Sequence, residues 1–247
     1  MRLLVGHVGE PLAGKETVSK IIAERAKRDG LSVGWLQFRD PLQETLQILD
    51  ALSTRNNPVH PQTFSAADAI LRDVWNIKVS SEQVRAFIRL MAAHFGDDQV
   101  IEVNRPNLQK LAVVMKAPFG VGALSHAVFS RVKKRTEDVV QADGVRWLSD
   151  EAELRAIPCA VMLYTTARFE IRAERAKKRR KEGEEHKTIE QLRLEDGAEN
   201  ERYIAEIGAR ADYRVVNESD SLDVLKSEIE KFYTTCIIPR IKIPETV

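Results

Sequence analysis

LLVGHVGEPLAGKETVSKII, residues 3–22, decides how the rest of the chain is read. Leu3–Val8 is an apolar run of strand length. Gly9-Glu10-Pro11-Leu12-Ala13-Gly14-Lys15 then fits G-x-x-x-x-G-K, with Glu16 and Thr17 next. From Lys15 to Asp29, Val18, Ile21, Ile22 and Ala26 recur at helical spacing, and Gly30 stops the run. A strand, a glycine-bearing turn and a helix, in that order, are what a phosphate-binding loop needs. The loop must bend so that its amide groups face an anion. Glycine supplies backbone angles that other residues resist. The helix that follows aims its positive end at the same anion. Lys15 adds a charge beside the β- and γ-phosphates. The expected ligand is ATP with a magnesium ion, held by Gly9, Ala13, Gly14, Lys15, Glu16 and Thr17.

Outward from this stretch, short apolar runs alternate with helical ones. Ser32–Phe38, Val139–Ala142 (with Asp143 at its end), Cys159–Thr165 and Tyr213–Val216 read as strands. Ala167–Lys181, Thr188–Gly208 and Ser221–Phe232 read as helices. Such alternation predicts an α/β fold with a parallel sheet of five strands between helices. The stretch from about Asp40 to Arg135 breaks the pattern, for it holds no convincing strand. Ser81 reads as the N-cap of an amphipathic run over Val84–Leu90, and Asn107–Lys116 and Leu124–Val132 also read as helices. This block is either extra helical packing or a substrate-binding subdomain inserted after the second strand. The expected organisation is one domain, 1–247, with a helical insertion at 41–135 and a lid at 167–200.

Bulk composition removes several classes of function. Lys and Arg number 38 against 37 Asp and Glu, so the net charge is +1. No global field then favours nucleic acid or an anionic membrane. Cys159 and Cys236 are the two cysteines and form no metal or redox spacing. No apolar run reaches membrane-spanning length, and the N-terminus reads as a strand rather than a signal peptide. A reduced cytoplasmic protein is the expectation. The tail Ile237–Val247 is apolar and basic, and packs on the body or on a second copy in a homodimer.

Several side chains could carry chemistry. Glu16 stands where a magnesium-binding hydroxyl usually follows the lysine, with Thr17 one place later. Its carboxylate either weakens phosphate binding or points to solvent. Arg39 and Asp40 close the second strand, where open α/β sheets bind ligands. Asp40 either accepts a proton or organises magnesium, or it simply caps a helix over Leu42–Leu49. Asp143 ends the third strand as a metal-facing acid, with Arg146 beyond it over the cleft. The bland alternative there is a tight Asp-Gly turn. Arg168, Arg172, Arg175 and Arg179 recur at three- and four-residue steps on one helix face. Next to a phosphate site they read as a cationic lid, since phosphoryl transfer needs cations around the transferred group. The five histidines show no metal spacing. Trp35, Trp75 and Trp147 read as packing residues, with base stacking by Trp75 as the lesser alternative.

Together these residues resemble the nucleoside monophosphate kinase superfamily, especially its deoxynucleoside monophosphate kinase and dephospho-coenzyme A kinase branches. GEPLAGKET (9–17) matches the opening of that family. FRDPL (38–42) looks like the strand-two motif with a catalytic aspartate, and RPNLQKLAVVMKAPFG (105–120) is similar to a substrate-side helix. VVQADGVRWLSDEAELR (139–155), RFEIRAERAKKR (168–179) and ADYRVVNESD (211–220) resemble its strand-three block, lid helix and last strand. The blocks touch most of the chain, and the loop is the most specific of them. The resemblance implies a three-layer P-loop NTPase-type fold and transfer of a phosphoryl group from ATP to a (deoxy)nucleoside monophosphate. Under it, Lys15 holds the β- and γ-phosphates and Asp40 is the base or metal-organising acid. Arg175 lies near the adenine, Arg179 on the phosphates and Asn217 in the adenine loop. Arg39, Arg105, Asp143 and Arg146 serve the acceptor, and Thr17, Asp40 and Asp143 serve the metal. Lys116 departs from the pattern, which would have an arginine there. A dephospho-coenzyme A-like acceptor, or a nucleotide-binding interaction protein without catalysis, are the alternatives.

Overall fold

Five of the apolar segments pair into one sheet in a computed structural model that describes residues 1–53, 64–96, 102–178, 188–198 and 201–242. The strands are β1 (Leu3–Val8), β2 (Val33–Gln37), β3 (Val139–Asp143), β4 (Ala160–Thr166) and β5 (Tyr213–Val216), in the spatial order β2-β3-β1-β4-β5. The first strand lies at the centre, parallel to β3 in the register Leu3↔Val139 and to β4 in the register Leu4↔Ala160. All six of its residues are buried, as both faces of a parallel sheet require.

Side-chain alternation sorts the two faces. Leu3 and Val5 of β1, Val139 of β3, and Val161 and Leu163 of β4 pack against α1 (Lys15–Arg28) and α11 (Leu222–Phe232). The intervening residues meet α7 (Leu148–Arg155) and α10 (Ile204–Ala209). A Cβ on Gly6 would lie 2.4 Å from Leu154 Cδ2, and one on Gly208 would lie 2.7 Å from the Tyr164 ring. Helices therefore cover both sides of a five-stranded parallel sheet. The short α12 (Ile238–Lys242) sets Ile238 and Ile241 against the α1-side core, so the described part of the tail packs on the body.

The chain divides into two compact units, Met1–Leu36 with Arg135–Val247, and Gln37–Lys134. Apart from Gln37, the last residue of β2, the regular elements of its described residues are helices. It contains α2 (Asp40–Ser53), α3 (Phe64–Ala69) running into a wider turn at Ile70–Val74, α4 (Ser81–Phe95), α5 (Arg105–Phe119) and α6 (Ala123–Ser130). Its own core gathers Leu42, Leu46 and Leu49 with Leu71, Trp75, Phe87, Met91, Leu111 and Met115. Trp75 is fully enclosed there, and its Nε1 donates to Thr45 Oγ1 at 2.8 Å, so it offers no face to a base.

Local boundaries shift from the sequence expectations for identifiable reasons. Ser80, not Ser81, caps α4. Its hydroxyl accepts the Gln83 amide at 3.2 Å while Gln83 Oε1 accepts the Ser80 amide, a reciprocal capping box. The expected helix over Thr188–Gly208 is two helices, α9 (Ile189–Asp196) and α10, with Gly197 just beyond the first. No single described helix is long and apolar enough to cross a membrane. The bent pair Pro106–Phe119 and Ala123–Lys134 passes that test by composition, but its Leu111, Val114, Met115 and Ala127 are core residues of the helical unit.

Candidate functional site

The turn between β1 and α1 has the geometry of an anion cradle. A Cβ on Gly9 would lie 2.2 Å from the Thr165 carbonyl oxygen, so only glycine lets the loop lie against β4. Gly14 is left-handed, with φ 99°, and caps α1 with no side chain on the helix start. The first-turn amides of a helix have no intrahelical partner and favour an anion. Lys15 folds back over the loop, and its Nζ donates to the carbonyls of Gly9 at 2.5 Å and Glu10 at 3.0 Å. Burial, and then the charge of Arg146, lower its pKa to about 8, while Asp143 and Glu10 act the other way. A cation held below its ordinary pKa gains from the arrival of a polyanion. These features fit the triphosphate of a nucleotide.

Asp143 closes β3 opposite His7 in the sheet register. Gly144 turns the chain at φ 102°, and the Arg146 and Trp147 amides both donate to Asp150 Oδ2. The Arg146 guanidinium is ion-paired to Glu201, whose side chain is 6% exposed. Among the described residues no group of three His, Cys, Asp or Glu side chains could hold a metal. Magnesium needs no such cage, since it binds through one or two protein oxygens plus phosphates and water. Of the metal donors expected from the sequence, Asp143 and the exposed Thr17 lie in this unit.

The carboxylate of Glu16 points outward. It is exposed, and Oε1 accepts from Lys20 Nζ at 2.8 Å across one helical turn. The acid inside the loop that matters more is Glu10. Its Oε1 accepts from the Tyr164 and Thr166 hydroxyls, and its Oε2 is buried without a partner. Burial and this bond raise the Tyr164 pKa. Beneath the loop, His7 is fully buried and its Nε2 donates to Gln141 Oε1 at 2.8 Å, while Gln141 Nε2 donates to the Ser19 carbonyl. Burial holds the imidazole neutral by lowering its pKa.

Arg172 and Arg175 meet the loop from the same side, and the described arginines differ in their partners. Arg168 precedes α8 (Phe169–Lys178) and pairs with Glu218. Arg172 is buried and forms a two-pronged pair with Asp196 of α9, Nη1 to Oδ1 at 2.7 Å and Nη2 to Oδ2 at 2.5 Å. The same Nη1 donates to the Pro11 carbonyl at 3.3 Å. Arg175 donates to the carbonyls of Leu12, Ala13 and Asn217. Burial lowers its pKa, with Asp220 opposing. Asn217, buried after β5, donates Nδ2 to the Ala13 carbonyl at 2.8 Å. Leu12, between these contacts, is left-handed at φ 64°, which costs a leucine about 1 kcal/mol.

Arg39, Asp40 and Arg105 belong to the helical unit. Arg39 is exposed. Asp40 opens α2, and its Oδ2 accepts the Gln37 amide at 2.9 Å, three residues back. Arg105 is the first residue of α5 behind the Asn104 cap. Arg179, with residues 180–187 of the expected lid, lies outside the described residues. Sequence reading missed Glu10, Asp196 and Glu201. The available signal was acidic: these carboxylates lie in the loop and after the arginine helix, where buried cations demand partners.

No protein-family model matches the chain. The UPF0200 protein PAE1629 of Pyrobaculum aerophilum is 30% identical over 139 residues, covering 55% of this chain and 78% of that protein. Among solved structures, shikimate kinase from Bacteroides thetaiotaomicron is similar at a TM-score of 0.47 and 11% identity, over 94% of this chain and 97% of that one. TT1252 from Thermus thermophilus is similar at 0.45 and 14%, over 94% and 96%.

Proposed function

We propose that this chain, which belongs to the UPF0200 protein family, is an ATP-dependent phosphotransferase whose acceptor is a (deoxy)nucleoside monophosphate or a related nucleotide-like compound. The observation that carries the reading is the charge constellation at the loop. Lys15 lies over an uncapped helix start and within electrostatic reach of Arg146, Arg172 and Asp143. Phosphoryl transfer asks little covalent chemistry of the protein; it asks for positioning and for cations around spreading negative charge. Loop amides and Lys15 would hold the β- and γ-phosphates. Asp143 and Thr17 would hold the magnesium ion, which neutralises phosphate charge when bound. Arg146 lies beside the same lysine and is the candidate for the acceptor's phosphate.

An ADP-release assay over a panel of nucleoside monophosphates and dephospho-coenzyme A tests the proposal. Turnover with one class of acceptor supports it and names the acceptor. Tight ATP binding with no turnover on any of them sinks it in favour of a nucleotide-binding interaction protein.

Two smaller effects follow at the same site. Glu16→Gln should change the Kd for ATP less than about fivefold, because an exposed helix pair contributes at most about 1 kcal/mol; calorimetry reads this directly. The Kd for ATP should also be flat below about pH 8, where free Lys15 is charged, and rise toward tenfold per pH unit above it. The sign follows from binding: phosphate favours the charged lysine, so above pH 8 ATP must recruit a proton. Titrations at pH 7, 8 and 9 check it, with Lys15→Ala as the flat control.

A further inference from the structure

Leu12 is a bulky residue held in a conformation that glycine adopts freely, at the bend of the phosphate loop. Such an outlier persists only where its surroundings over-determine it. Here they are specific. The Leu12 side chain packs against the cluster of Ala173 and Ala176 of α8 with Leu192 of α9, as Phe169 also does. Around it, Arg172 reaches the Pro11 carbonyl and Arg175 reaches those of Leu12 and Ala13, so one helix grips three successive loop carbonyls. Arg172 is itself oriented by Asp196 at the end of α9. Apolar packing and charge thus run from α9 through α8 into the loop backbone.

We propose that Leu12 and Arg172 are positioning residues that make the shape of the phosphate loop depend on the docking of α8 and α9, so that nucleotide binding and helix docking stabilise one another. The inference rests on the nucleotide-binding reading above for its consequence, but not for its physical basis. Neither side chain has to touch the reacting atoms. A leucine that merely filled space at a left-handed position would be improved by glycine, which removes the strain. Under the proposal glycine removes the link as well, and the loop samples other shapes.

The test uses Leu12→Gly, with Leu12→Met as the conservative rescue and Asp196→Asn as a variant remote from the loop. Leu12→Gly should raise the Kd for ATP with magnesium about tenfold, within the usual range of coupling between sites. In the protein without nucleotide it should also speed amide exchange across Ile189–Asp196. Leu12→Met should hold both within about twofold of wild type. Asp196→Asn should shift both in the direction of Leu12→Gly, and it reports on the link should the glycine variant fail to fold. Unchanged exchange in α9 overturns the coupling whatever ATP does. Faster exchange with an unchanged Kd overturns the positioning role. If the wild-type protein does not bind ATP, the proposed function fails by itself, and the exchange measurement, which contains no nucleotide, still decides the link.

Discussion

Lys15→Ala is expected to lower phosphoryl transfer from ATP by about a thousandfold, the upper range for removing one preorganised electrostatic group, while the protein still folds. The ammonium donates to two loop carbonyls and has Arg146 and Arg172 as like charges nearby. In the absence of phosphate it is therefore a costly cation. Its pKa near 8 lies below the unfolded value of about 10.4. A lysine shifted this way penalises the folded state fully below about pH 8, and the penalty disappears as pH rises through the unfolded pKa. The melting temperature of wild type should therefore gain on that of Lys15→Ala between pH 8 and 10. Scanning calorimetry of both proteins at pH 7, 8.5 and 10 reads the difference. Wild-type turnover in the variant would sink the catalytic assignment; a gap that stays constant with pH would sink the electrostatic account of the lysine.

Trp75→Ala should cost about 3–5 kcal/mol, the range for truncating a fully buried large aromatic residue. Trp75 has no exposed surface and lies among Leu46, Leu71, Phe87 and Leu111. Its Nε1 donates to Thr45 Oγ1, which donates in turn to the Pro41 carbonyl at 2.8 Å. Truncation leaves a cavity and takes a donor from a buried hydroxyl. Trp75→Phe keeps most of the volume and loses only the donor, so it should cost about 1–2 kcal/mol. Urea unfolding followed by circular dichroism separates the two. If Trp75→Ala unfolds at the wild-type midpoint, the enclosed core described for Gln37–Lys134 is wrong.

Much of the architecture was legible because it rests on local periodicity. β1 and β5 end where the apolar runs end, and α1 starts on the lysine that completes the motif. The helical nature of the stretch after β2 followed from the lack of alternation and from amphipathic spacing. The cap at Ser80 was misplaced by one residue because Ser80 and Ser81 offer the same chemistry. Only the partner, Gln83 three residues on, tells them apart. The break before α10 was hidden because a helical pattern does not record how far each turn is paired.

The candidate site was legible in kind but not in role. A glycine-bearing loop before a helix turns its amides toward one point, since bending and amide direction are local properties; to that extent the cradle at Gly9, Gly14 and Lys15 was legible without the structure. The direction of Glu16 was open, and its exposed ion pair with Lys20 turns it outward. Arginine spacing showed a cationic helix, but ion pairs form between segments distant in sequence. Which arginine meets Asp196, Glu201 or Glu218, and which meets the loop, is decided by packing alone. Charge is carried by each residue; its partner, burial and pKa belong to the fold. Residues 3–22 by themselves determined a strand, a glycine-bearing turn and a helix in that order, whereas only the tertiary structure joined Leu12 and Arg172 at that turn, because strain and buried charge arise where separate elements meet.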